Sequence, residues 1–133
     1  MRFMLLVKAT KESEAGLMPD ESRFAAMAKY NEDLTKAGVL LAAEGLHPSS
    51  MGARVRFSSG KRTVIDGPFT ETKELIAGFW LIQVKSKDKA IEWVRRCPAP
   101  FDGDAEIEIR QLIGPDDYAE VIPHEMPQAG KQA

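Results

Sequence analysis

Nine consecutive residues, Asp66-Gly67-Pro68-Phe69-Thr70-Glu71-Thr72-Lys73-Glu74, bring one aspartate, two glutamates and one lysine into a single short segment. Carboxylates and an amine at that density suit acid–base chemistry or the binding of a polar ligand, and rigid polar loops are common places for sites. Asp66 is expected to close a strand and to accept hydrogen bonds from the N–H groups that follow it, as an Asx turn. Gly67 escapes the restriction that Pro68 places on the residue before it. Thr70 is expected to cap a single helical turn over residues 71–74. A well-made connection carrying a solvated charge cluster is the plainer alternative.

Other residues extend the candidate set. Glu44 interrupts the apolar run Leu40-Leu41-Ala42-Ala43, and a carboxylate on a buried strand needs a partner or a raised pKa. It reads equally as a site residue and as one half of an ion pair with Arg54 or Arg56. His47 precedes Pro48, and imidazole, with an ordinary pKa of about 6.5, serves as acid or base near neutrality. Asp66, Glu44 and His47 therefore form the catalytic candidates. Glu71, Lys73, Arg54 and Arg56 form the ligand-binding candidates, the arginines as cations for an anionic group. Each also reads as ordinary surface charge. No cofactor or metal is expected: His47 and His124 are far apart in the chain, and no Cys/His spacing resembles a zinc site. No phosphate loop, dinucleotide glycine set or nucleophile elbow occurs. Cys97 reads as a core thiol, and Trp80 and Trp93 as core or interface aromatics.

The elements that must position these residues can be read from period and punctuation. Phe3, Leu5 and Val7 alternate with Met4, Leu6 and Lys8, the pattern of a strand. Lys11–Met18 reads as a polar linker. Pro19-Asp20-Glu21-Ser22 opens a helix that carries Phe24, Met27, Ala28, Asn31, Leu34 and Thr35 at helical spacing, and Gly38 ends it. Val39–Leu46 is a strand. Residues 53–58 and 61–66 alternate on either side of Ser59-Gly60, which makes a hairpin with a basic face (Arg54, Arg56) and an apolar face (Val55, Phe57) on its first strand. Leu75–Val84 is a buried strand. Ser86 caps a second helix with Ala90, Ile91, Val94 and Cys97 on one stripe, and Pro98 stops it. Ala105, Ile107 and Ile109 mark a last, half-exposed strand.

This order is βαβ–hairpin–βαβ, a duplicated split βαβ, and the fold class is α+β with a ferredoxin-like protomer. Two helices cover one face of the sheet, so the other face needs a second cover. A second copy closing a shared, dimeric α+β barrel is the simplest, and a homodimer is expected.

The chain has 133 residues, enough for one domain with a sizeable core. A formal net charge of -2 argues against direct contact with nucleic acid. One cysteine permits no internal disulfide, and no run is long enough to span or leave through a membrane, so a cytoplasmic protein is expected. Residues 114–133 carry Asp116, Asp117, Glu120 and Glu125 against Lys131 alone, with three prolines. They divide from residues 1–113 as an acidic C-terminal arm, either loose or packed through residues 118–122.

The string Asp66–Glu74, followed by Ala77-Gly78-Phe79-Trp80-Leu81-Ile82, closely resembles the signature of the DGPF branch of the YCII-related family. Arg2–Leu6, Gly38-Val39-Leu40 with Glu44-Gly45-Leu46-His47-Pro48, Ala90–Trp93 with Cys97-Pro98, and Glu106–Arg110 extend the likeness over residues 1 to about 113. The resemblance implies the same ferredoxin-like fold and dimeric barrel. It implies a His–Asp pair as the suspected catalytic pair of short relatives, one of which is a dehydrochlorinase. The aspartate corresponds to Asp66, whereas residues 19–37 contain no histidine to match the helix histidine of those relatives. It also implies a link to sigma factors of the extracytoplasmic-function type. Two functions stand side by side: a cofactor-free acid–base enzyme acting on an unknown small molecule, and a non-catalytic sensing or interaction module.

Overall fold

A computed structural model describes residues 1–118. Strand β1 (Arg2–Lys8) leads into a short helix α1 (Lys11–Glu14) and then helix α2 (Glu21–Lys36). Strand β2 (Leu40–Gly45), the hairpin β3 (Ala53–Ser58) and β4 (Lys61–Asp66), strand β5 (Ile76–Gln83), helix α3 (Lys87–Arg95) and strand β6 (Ile107–Gln111) follow. The four-stranded sheet is antiparallel in the order β2-β5-β1-β6, with both crossovers made by helices, an α+β arrangement compatible with a ferredoxin-like fold. The hairpin is a separate two-stranded sheet.

Local chemistry explains the boundaries. Asp20 accepts from the Arg23 N–H at 2.8 Å and starts α2, and Ser86 accepts from the Lys89 N–H at 3.2 Å and starts α3. The expected linker after β1 instead holds α1, because Thr10 and Ser13 form a reciprocal capping box strong enough to nucleate one turn. Ser59 and Gly60 both take positive φ, at 50° and 77°, the turn whose twist matches a two-residue hairpin.

Alternation on β1 sends Phe3, Leu5 and Val7 to one face, where Trp80 and Ile82 of β5 join them. Tyr30 and Leu34 of α2 and Ala90 of α3 close this core. The Tyr30 ring meets Trp80 edge-on at 5.5 Å and Trp93 at 6.5 Å, and its hydroxyl donates to the Trp93 carbonyl at 2.6 Å. The inward stripe of α2 therefore runs through Met27, Tyr30 and Leu34, while Phe24, on the helical repeat read from the sequence, is 66% exposed. Phe24 sits one turn from the helix start, beyond the reach of the sheet core.

The opposite face of the sheet has no helix on it. Register places Met4 beside Leu81, Leu6 beside Phe79, and Ala42 beside Leu81 there, all half-buried. β2, expected to be buried on both faces, is an edge strand with Leu41 at 48% exposure where the register slips. Every residue of the hairpin is exposed, on its apolar side as well as its basic side. The C-terminal arm and His124 lie outside the described residues from position 119 on; Pro115–Tyr118 is a single 3-10 turn. No helix among the described residues is long and apolar enough to cross a membrane.

Leu34 is fully buried between helix and sheet. Leu34→Ala should lower unfolding free energy by about 2–5 kcal/mol, seen as a lower urea midpoint at unchanged slope.

Candidate functional site

The signature loop is held by a knot of hydrogen bonds centred on Ser49. Its Oγ donates to a carboxylate oxygen of Glu14 and accepts from the Phe69 N–H at 2.9 Å, while its own N–H donates to Glu14 at 2.9 Å. The Gly67 N–H donates to the Gly52 carbonyl at 3.0 Å, and the Gly67–Pro68 peptide is cis. A Cβ on Gly67 would stand 1.8 Å from the Ser49 carbonyl oxygen, so only glycine lets the two backbones approach this closely. Arg54 stacks over the Phe69 ring at 3.8 Å and covers the loop from the hairpin side. Glu14 and Ser49 were not among the sequence candidates, because residues 35 positions apart in polar segments leave no periodic signal.

Two local expectations for this loop are corrected. Asp66 makes no side-chain hydrogen bond among the described residues, since the residue two positions on, whose N–H an Asx turn would use, is Pro68 and has none. The helical turn forms over Thr72–Glu74 with no side-chain cap; the Thr70 carbonyl, not its hydroxyl, accepts from the Thr72 N–H.

The sequence candidates are scattered over the surface. Asp66 ends β4 opposite Ala53, Arg54 and Arg56 lie on β3, Glu71 and Lys73 lie on the following turn, and His47 follows β2; all are exposed. Glu44 ends the edge strand β2 beside Phe79 and is exposed, so the expected burial penalty does not arise there. The ion pair with Arg54 or Arg56 is absent among the described residues. No hydrogen bond joins Asp66, Glu44 and His47 among those residues. Nor do three His, Cys, Asp or Glu side chains gather there as a metal would require.

A concave site does exist beside Glu44. A cleft of about 350 Å³ opens between the first half of α2, the β2 edge and the segment after α3. Its walls are largely apolar: Phe24, Met27, Trp80 and Phe101 line it together with the polar Asn31, and Phe79 and Glu44 border it at the β5–β2 pair, where their register sets both side chains toward the other face of the sheet. The floor is Gly78 against Gly45; a Cβ on Gly78 would lie 2.9 Å from the Glu44 carbonyl oxygen. The Trp80 indole N–H donates to Asn31 Oδ1 at 2.7 Å, which fixes the amide and directs its N–H₂ away from the indole. That N–H₂ has no partner among the described residues. Asn31 was read from the sequence only as part of a helical stripe. Phe101 lies in the non-periodic segment after α3, where pattern reading is blind.

Cys97 is half-buried and donates to the Pro98 carbonyl at 3.3 Å. Burial pushes its thiol up to about 12, so it stays protonated and unreactive at neutral pH. Burial also pushes the Tyr30 hydroxyl upward, with Cys97 adding to the shift and Arg96 opposing it.

Comparison with known proteins places these features in context. The sequence model of the YCII-related domain matches residues 1–113. An uncharacterized protein of Rhizobium meliloti (strain 1021) is 37% identical over 103 residues, covering 77% of this chain and 78% of its own.

Two outcomes follow from the loop and the buried acids. Ser49→Ala removes the hydroxyl that bridges Glu14 and Phe69 and should cost about 1–3 kcal/mol in urea denaturation. Both raised groups bind protons in the folded state that the unfolded chain releases. Stability should therefore be full below about pH 9 and fall as the pH rises toward about 12, the slope lessening in Cys97→Ala.

Proposed function

This chain belongs to the YCII-related family, and from that premise we propose that it binds a small planar, largely apolar molecule in the cleft between α2 and the β2 edge. The observation that carries this reading is the cleft's composition. Aromatic walls supply area for stacking, and the Asn31 amide, whose oxygen accepts from the Trp80 indole, offers its N–H₂ as an orienting donor. A phenol or a related flat ring whose oxygen accepts from Asn31 meets both demands.

Among the described residues Glu44 is the one ionisable residue that borders the cleft, and its pairing with Phe79 turns its carboxylate toward the other face of the sheet. Asn31 hydrogen-bonds without titrating, so the cleft walls offer a bound molecule orientation rather than a base. Asp66, His47, Glu71, Lys73, Arg54 and Arg56 stand outside the cleft of a single chain, and they serve the loop and the surface around it. A binding cleft without a proton-transfer pair fits ligand sensing better than catalysis. Service to an extracytoplasmic-function sigma factor is the form of sensing that the resemblance of the signature loop implies.

The protein acts as a homodimer in this reading. The apolar row Met4, Leu6, Phe79 and Leu81 on the helix-free sheet face supports it, because a face of that composition is stabilised by a second apolar layer.

Binding is tested by titrating a panel of substituted phenols and naphthols while following tryptophan fluorescence and thermal midpoint. A ligand should quench Trp80 and raise the midpoint. Phe24→Ala and Asn31→Ala should each weaken it roughly tenfold or more, while Asp66→Asn leaves it unchanged. Binding that ignores Phe24→Ala and Asn31→Ala, or that Asp66→Asn abolishes, removes the cleft from the function.

A further inference from the structure

We propose that the hairpin β3–β4 is an intersubunit arm, and that its occupant is a second copy of this chain. The inference rests on the homodimer reading above and goes beyond it in naming a contact outside the sheet face. The hairpin's register puts Val55 opposite Val64, with Phe57 next in line on the same side. These three are 50%, 64% and 70% exposed, an apolar strip that ends under Arg62, whose guanidinium lies 5.1 Å from the Phe57 ring centre. A lone two-stranded hairpin is marginally stable in water, and this one is held only at its base, by the Gly67–Gly52 hydrogen bond and the Arg54–Phe69 stack. Twelve residues of well-formed ladder with both faces bare are the form of an element whose cover lies on another molecule.

Charge identifies that molecule. Between Ala53 and Ile65 the hairpin carries Arg54, Arg56, Lys61 and Arg62 and no acid. The segment leading into β6 carries Asp104 and Glu106, both exposed and neither in an ion pair among the described residues. β2, from which the chain enters the hairpin, and β6 are the two opposite edges of the sheet. One copy's basic arm is thus at the far edge from its own acids. A two-fold axis parallel to the strands, between two sheets packed face to face, sets each β2 edge beside the partner's β6 edge. The basic arm of each copy then meets the acidic edge of the other, twice over, as an isologous contact requires. A nucleic acid would satisfy the arginines but leave the strip formed by Val55, Phe57 and Val64 in water.

Sedimentation equilibrium of the full chain and of Phe57→Ser/Val64→Ser, with hydrogen exchange of the hairpin amides across the same concentrations, tests the contact. All substituted side chains are exposed, so circular dichroism of the variant should match the wild type. The dimer dissociation constant should rise at least about tenfold in the variant. Hairpin amides of the wild type should become protected as the dimer forms. Arg56→Glu should weaken the dimer as well, and adding Glu106→Arg should restore it. A dimer of unchanged affinity in the variants, with hairpin amides exchanging as fast as in the monomer, overturns the arm and leaves the sheet-face dimer standing. A wild type that is monomeric at every concentration overturns both. Retention on heparin that Arg56→Glu abolishes, with the dimer constant unmoved, assigns the arm to a polyanion and also overturns the proposal.

Discussion

A β-strand presents side chains to two faces, and this chain has helices enough to cover only one. Phe3, Leu5 and Val7 of β1 and Trp80 and Ile82 of β5 take the covered face, against Tyr30, Leu34 and Ala90. Burial of that row fixes the register of the central pair, because a slip of one residue would exchange it for Met4, Leu6, Phe79 and Leu81. Everything else is positioned from this seam. α2 lies where Tyr30 can meet both tryptophans, and the cleft opens where α2 begins to leave the sheet. The second apolar row is left facing outward by the same alternation.

The signature segment is best understood as a fastening. Gly67 is pressed on the Ser49 carbonyl, Phe69 is held by the Ser49 hydroxyl and capped by Arg54, and Glu14 ties both to the first short helix. A substitution at Gly67 or Ser49 would disturb three elements at once. This accounts for a glycine, a proline and an aromatic ring in consecutive positions without requiring any of them to touch a ligand. The ionisable residues nearby, Asp66, Glu71 and Lys73, project from this fastening into solvent, where their charges are cheap to keep.

Much of the fold was legible. Strand periods, Asp20 and Ser86 as helix starts, and Ser59-Gly60 as a hairpin turn are local signals, and each element they mark is present within a residue or two. The short helix at Lys11–Glu14 was missed because its capping box uses Thr10 and Ser13 rather than the more recognisable glutamate at the third position. Phe24 shares the helical repeat yet is exposed, because helical period says which side a residue faces, not whether the neighbouring layer extends that far. Of the candidate site residues, Glu44 alone borders the cleft, with its side chain toward the other face of the sheet, and the arginines proposed as its partners are engaged elsewhere or exposed.

The sequence by itself determined the alternation that makes the strands, the caps that start the helices, the turn that folds the hairpin and the duplicated order of elements. These depend on residues within a few positions of one another, where steric and hydrogen-bonding preferences act directly. Only the tertiary structure decided which polar side chains come together. That question turns on pairs such as Asn31 with Trp80, 49 residues apart, and Glu14 with Ser49, 35 apart. Such pairs meet because the sheet order β2-β5-β1-β6 brings their elements together, and no local preference encodes that order. The charges around Asp66 stand on a loop that fastens three elements, and the cleft is lined by residues that looked, one by one, like ordinary core.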